Sequence, residues 1–210
     1  MSHRLPPRLD HVIVTTPDLA DAVAQVERAT GVAPAPGGVH PTFGTRNFLV
    51  QLQDGTYLEL LGADPENTEF SGTRPFGVDD ATTTAARTWA IAPTPAADAI
   101  AAGRAAGVDV GDLGDGSRRT ADGTLLSWQL TPPLHGDRSG VIPFIIDWGA
   151  TGSPGPTIAP TLTLESFEVS HPEPERIRDQ LRALGTDIEV SGGPAGVRLT
   201  LSGPGGSLTL

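Results

Sequence analysis

The sequence predicts an α+β fold: repeated βαβββ modules forming curved mixed sheets around a cleft, with a shorter C-terminal α+β module. Three observations carry this. An alternating apolar run leads into an amphipathic helical stretch and then into strand candidates joined by an Asp-Gly turn. The same order returns from residue 88, and a third, shortened version follows the breaker ATGSPGPTIAP at residues 150–160. Small sheets of this kind bury one face against their helices and curve around a cavity. The expected organisation is a paired-module domain over residues 1–149 and a partial module over residues 157–210.

LDHVIVT, residues 9–15, has the alternation of a strand. In PDLADAVAQVERATG, Thr16 is the expected cap, Pro17 the first helical residue and Gly31 the stop, with Leu19, Val23 and Val26 on the apolar face. APAPGG reads as a flexible segment. VHPTFGTRNFLVQL and TYLELLG then flank Asp54–Gly55, a pair that favours the tight turn matching strand twist. In TYLELLG, Leu58 and Leu60 share one face while Tyr57, Glu59 and Leu61 share the other. A buried, unpaired carboxylate is costly, so Glu59 must reach water, a hydrogen-bonding partner or a cation. Residues 65–86, rich in Thr, Asp, Pro and Gly, read as a linker or cavity-edge loop with a short helix.

The second unit begins with TWAIAPT at residues 88–94 and continues with the helical PAADAIAAGRAAG, ending near Gly107. GSRRTADGTLLSWQL turns at Asp122–Gly123, and VIPFIIDWG, residues 141–149, closes the set. The third unit has the strand TLTLESFEVS and the helix PEPERIRDQLRALG, with Pro172 at its entrance and Ile177, Leu181 and Leu184 as its apolar stripe. Three strands follow in TDIEV, GVRLTLSG and SLTL. One α+β domain without duplication is the other reading of this pattern.

Composition narrows the chemistry. With no cysteine, the 210-residue chain cannot form disulfides, thiolate metal sites or a cysteine nucleophile. All 14 basic residues are arginine, which excludes lysine Schiff bases and a Walker-A loop. A net charge of −11 and no visible basic patch argue against nucleic acid as a partner. No apolar run is long enough to cross a bilayer, and MSHRLPPRLDHVIVTT lacks the core of a signal peptide, so no membrane association and a cytoplasmic location are expected.

DHVIVTTPDL, the TG–P–GG–H–GT-N series across residues 30–47, and DGTYLELLG together resemble the vicinal-oxygen-chelate superfamily, and more narrowly a glyoxalase-like domain. The second helix, DGTLLSWQL and PFIIDWG extend the likeness to about residue 149. The resemblance implies paired modules around a ligand cleft, with metal ligands on the first and last strands of a module. In this chain those positions are His11 and Glu59, on strands that would be neighbours. Nitrogen and carboxylate donors suit zinc, iron, manganese, nickel or a related divalent ion. In the second module Trp89 falls near the histidine position, and Asp147 lies two residues after Ile145 on the last strand and is the candidate third ligand.

Each candidate has a plain alternative. His11 and Glu59 can be a satisfied histidine and a solvated or hydrogen-bonded carboxylate. His40, in GGVHPTFGTRN, is a candidate for catalysis or ligand contact, or an ordinary loop histidine. Arg46 suits an anionic substrate or a surface salt bridge, and Tyr57 a substrate hydrogen bond or core packing. Trp89 and Trp148 are candidate substrate walls or packing residues, and Trp128 a further aromatic wall. His135 and His171 sit in a loop and near a helix cap, His3 carries no role, and the Arg118–Arg119 pair is a weak anion-binding signal. No G-x-S-x-G elbow supports hydrolase chemistry.

Two functions are therefore expected. One is a glyoxalase-like, divalent-metal-dependent lyase or isomerase acting on a small oxygen-bearing metabolite. There the ion polarises an oxygen and Glu59 or His40 moves a proton. The other is a nonenzymatic protein that binds or sequesters a small molecule in the same cleft. The resemblance also allows a homodimer.

Overall fold

The computed structural model describes residues 5–120, 123–135 and 138–210. The first unit is β1 (Leu9–Thr15), α1 (Leu19–Thr30), β2 (Ala35–His40), β3 (Thr45–Gln51) and β4 (Tyr57–Ala63). The second is β5 (Ala85–Ile91), α2 (Ala96–Ala105), β6 (Gly114–Arg119), β7 (Leu125–Leu130) and β8 (Phe144–Asp147). The third is β9 (Thr163–His171), α3 (Pro174–Ala183), β10 (Val190–Gly192), β11 (Gly196–Gly203) and β12 (Gly206–Thr209).

The first two units are wired alike, each first strand lying parallel to its own last strand, β1 to β4 and β5 to β8. They join through the antiparallel pairs β1–β5 and β2–β6, closing an eight-stranded barrel in the order β1-β4-β3-β2-β6-β7-β8-β5. The third unit repeats the order of elements but not the wiring. Its separate four-stranded sheet runs β10-β9-β11-β12.

Local chemistry explains most boundaries. The first helix starts two residues later than the Thr16–Pro17 signal predicts. Asp18 is the cap, its carboxylate accepting from the amides of Ala20 and Asp21. Gly31 ends the helix in the left-handed conformation, at φ 74°. Asp54 and Gly55 both have positive φ, 58° and 75°, the geometry that turns β3 back onto β4. Of the second Asp-Gly turn only Gly123 is described; Asp122 lies outside the described residues, as does His3.

The APAPGG segment is a strand rather than flexible chain. β2 closes the barrel against β6, and a Cβ at Gly38 would collide with the Arg119 carbonyl, while one at Gly37 would collide with the Asn47 side chain. Paired glycines there mark close backbone approach. The stretch before β5 carries a 3-10 segment, Pro75–Asp80, that reaches over the barrel.

Two apolar cores divide the molecule. The larger lies outside the barrel, where Val12, Val14, Leu58 and Leu60 meet α1, α2 and the C-terminal unit with Ile177, Leu181, Leu184 and Leu199. The smaller fills the barrel interior with Ile13, Leu49, Tyr57, Leu61, Ala90, Phe144, Ile146 and Trp148. Alternation along each strand sends one set of residues to each core. Among the described residues, no helix is long and apolar enough to cross a membrane.

Candidate functional site

The barrel interior contains a cavity lined by apolar and aromatic side chains, including Phe76, Trp128, Phe144, Ile146 and Trp148, into which a few polar groups project. It is narrow, about 50 Å3 for the centre of a water-sized sphere. β1 supplies His11, and β3 and β4 supply Asn47, Tyr57 and Glu59. β2 supplies His40 and β6 supplies Arg118.

His11 is held on two sides. Its Nδ1 lies 2.6 Å from Asp10 Oδ1, and its ring stacks on Tyr57 with centroids 4.7 Å apart. Neighbours on a strand ordinarily point to opposite faces, but the β1–β5 pairing skips Asp10: Leu9 faces Ile91 and His11 faces Ala90. This irregularity turns the Asp10 carboxylate toward the histidine, as bulges do beside functional sites. Trp148 Nε1 donates to the other Asp10 oxygen at 3.2 Å. With Nδ1 occupied, Nε2 of His11 is the nitrogen left for the cavity, and it stands 3.8 Å from Glu59 Oε2.

Glu59 is 9% exposed and accepts from Asn47 Nδ2 at 2.8 Å. This contact, with His11 opposite, accounts for a carboxylate within an apolar run. Burial first, then the Asp10 and Glu59 carboxylates, push the Tyr57 phenol well above its ordinary range, so it stays protonated.

His40 lies on the same wall, its Nδ1 3.0 Å from Thr45 Oγ1. Burial holds its pKa below the ordinary 6.5, outweighing the opposing pull of the Glu59 carboxylate. Because the unfolded chain then binds more protons, His40 contributes stability that is complete above pH 6.5 and lost as pH falls through its lowered folded value. Urea midpoints measured from pH 7.5 downward are expected to fall in that window, and His40→Gln to flatten the fall. An unchanged profile in the variant would assign the loss to other groups.

The structure gathers His11, His40, Tyr57, Glu59 and Trp148 around one cavity and leaves three sequence-predicted residues elsewhere. Arg46 points out of β3 and pairs with Asp64 at 2.9 Å and Glu66 at 3.1 Å. Trp89 is fully buried in the outer core, donating to the Val141 carbonyl at 2.9 Å and packing on Phe167. Asp147 faces away from the barrel and accepts from the Gly149 amide. On β8 the inward residues are Phe144 and Ile146, and a face assignment displaced by one residue inverts every side chain.

A divalent ion was one expectation, and the donors decide how well it fits. His11 Nε2 and Glu59 Oε2 are near enough to share an ion, and Asp10 is the kind of outer partner that orients a ligating imidazole. Catalytic zinc sites keep three protein ligands. Among the described residues, however, no group of three or more His, Asp or Glu side chains is placed to hold an ion. The wall offered by the second unit is Phe144 and Ile146. The donor set does not fit a resident ion.

Sequence reasoning gave Asp10 and Asn47 no catalytic role and weighted Arg118 lightly. The signal for Asn47 was its place two residues from Thr45 on a strand facing Glu59, since β3 pairs Asn47 with Leu61 and Leu49 with Glu59. Nothing local marks the Asp10 irregularity.

Comparison with known proteins adds a family and a fold. The sequence profile of a family described as a glyoxalase-like domain matches residues 9–185. A comparison with curated proteins finds no match. A hypothetical protein from Staphylococcus aureus superposes with a TM-score of 0.62 at 16% identity, covering 98% of this chain and 84% of that one. A methylmalonyl-CoA epimerase from Mycobacterium tuberculosis superposes at 0.44 with 17% identity, covering 71% and 93%. A methylmalonyl-CoA epimerase in complex with methylmalonyl-CoA and NH4+ gives 0.45 at 24% identity, covering 70% and 98%.

Proposed function

This chain belongs to the glyoxalase-like domain family, and from that membership we propose that it is an isomerase or lyase that moves a proton on a small oxygen-bearing metabolite within its barrel. One observation carries the reading. A histidine oriented by a neighbouring carboxylate faces a second, independently held carboxylate inside a narrow apolar cavity. An acid and a base held apart by their own partners, with water largely excluded, are the parts that proton transfer beside a carbonyl requires.

The Glu59 carboxylate takes the proton from the carbon adjacent to a carbonyl. As that C–H bond breaks, its electron pair moves into the new C–C double bond and the carbonyl pair onto oxygen, giving an enolate. In its imidazolium form His11 donates from Nδ1 to Asp10 and from Nε2 toward the oxygen, where negative charge develops. Where the same carbon carries a hydroxyl, the enolate oxygen gains a proton, that hydroxyl loses one, and Glu59 returns its proton to the former carbonyl carbon, which completes an isomerisation. Departure of a group with its bonding pair from the carbon next to the enolate makes the reaction a lyase. Asn47 fixes the carboxylate that accepts the proton. Tyr57, stacked on the imidazole and kept protonated, holds the ring plane.

The test is proton NMR in D2O with α-ketobutyrate, lactate and dihydroxyacetone as probes. Protein-dependent loss of a signal from carbon beside the oxygen-bearing centre is the expected result. Stoichiometric binding of a probe with no exchange would instead favour a binding protein using the same cavity.

A further inference from the structure

The cavity wall holds more polar capacity than the protein itself satisfies. Arg118 is 5% exposed, and its one hydrogen bond among the described residues runs from Nη1 to the Gly37 carbonyl at 2.6 Å. No carboxylate pairs with it there, whereas Arg46, Arg74, Arg104 and Arg178 each have one. Glu59, the carboxylate that lines the cavity, is engaged by Asn47, and Asp10, behind the His11 ring, by His11 and Trp148. A guanidinium stays charged in any protein setting, and a buried charge without a partner is strongly unfavourable. Two further groups of the same wall are buried without a hydrogen-bond partner: the acceptor Asn47 Oδ1 and the donor Trp128 Nε1.

We propose that the ligand of this barrel is a small hydroxy acid whose carboxylate sits on Arg118 and whose hydroxyl donates to Asn47 Oδ1. The inference rests on the proton-transfer reading for its choice of cavity but not for its chemistry. A planar carboxylate matches the guanidinium fork and can take two parallel N–H donors. A narrow, apolar cavity suits a thin organic acid better than a phosphate, which needs donors on three oxygens. Arg118 and Leu49 also line a second, outer cleft with Pro36, Leu126 and Ile158, about 520 Å3 for the centre of a water-sized sphere. Arg118 thus borders both spaces.

The experiment titrates the whole protein with α-hydroxyhexanoate, hexanoate, α-hydroxyhexanamide and inorganic phosphate, by calorimetry and tryptophan fluorescence. Charge-assisted hydrogen bonds are worth enough that the hydroxy acid is expected to bind about 10–100-fold more tightly than its amide. Hexanoate, lacking the hydroxyl, is expected to bind more weakly than the hydroxy acid, and phosphate more weakly than either acid. Arg118→Gln removes the preference for acid over amide, and Arg118→Lys retains part of it. Equal binding of acid and amide by the natural chain overturns the proposal even if the glutamine variant fails to fold. So does tighter binding of phosphate, or a preference that survives Arg118→Gln. Acid binding without deuterium exchange leaves the Arg118 site standing and refutes proton transfer. Exchange on dihydroxyacetone with no acid preference does the reverse.

Discussion

Glu59→Gln lowers the rate of deuterium incorporation into a bound ligand by about 10²–10⁴-fold, the usual contribution of a positioned general base. Glutamine keeps the shape of the side chain and leaves a carbonyl oxygen to accept from Asn47 Nδ2, so the loss should occur in a folded protein. The comparison is made by proton NMR at saturating ligand, with thermal melting as the control for fold. A variant that exchanges within about threefold of the natural chain would remove Glu59 from the proton path, because a base that matters contributes far more than that.

Trp89→Ala is expected to cost about 3–5 kcal/mol of stability, the range for deleting a large aromatic from a packed core. The side chain is fully buried between the barrel and the C-terminal sheet, where it packs edge-on against Phe167 and its indole N–H meets the Val141 carbonyl. Equilibrium urea unfolding measures the change. Because Trp89 points away from the cavity, ligand affinity in the folded fraction should hardly change. A stability loss under about 1 kcal/mol, together with weaker ligand binding, would place this tryptophan on the ligand side instead.

These two residues also show what the sequence reveals and what it hides. Alternation in TYLELLG is enough to place Tyr57 and Glu59 on one face and Leu58 and Leu60 on the other, and the two cores divide them that way. The Asp54–Gly55 turn fixes the register of β3 on β4, and so brings Asn47 toward Glu59. For Trp89 and Asp147 the same logic placed residues one position off: their strands are buried on both faces, and a continuous apolar run contains no mark of which face is inward. The strand role of the glycine-rich segment was hidden because its cause is tertiary, the near contact of β2 with β6 across the closure of the barrel.

The site shows the same division. His11 and Glu59 lie on parallel neighbouring strands, a pairing that only the order of elements could suggest. Asp10 could not be assigned to the cavity face, because period-two alternation sends it outward and only the irregular pairing with β5 turns it back. In the sequence, the Arg118–Arg119 pair is only a weak anion-binding signal. Arg119 is exposed, while alternation along β6 carries Arg118 inward to the cavity wall, where no carboxylate pairs with it among the described residues.

The most direct measurement is deuterium exchange on a bound hydroxy acid by protein stripped of metal with a strong chelator, read before and after adding zinc, iron, manganese or nickel. If Glu59 and the His11–Asp10 pair carry the proton themselves, exchange continues in the stripped protein at an unchanged rate and is insensitive to each added ion. Exchange that disappears on stripping and returns with one of those ions would contradict that chemistry.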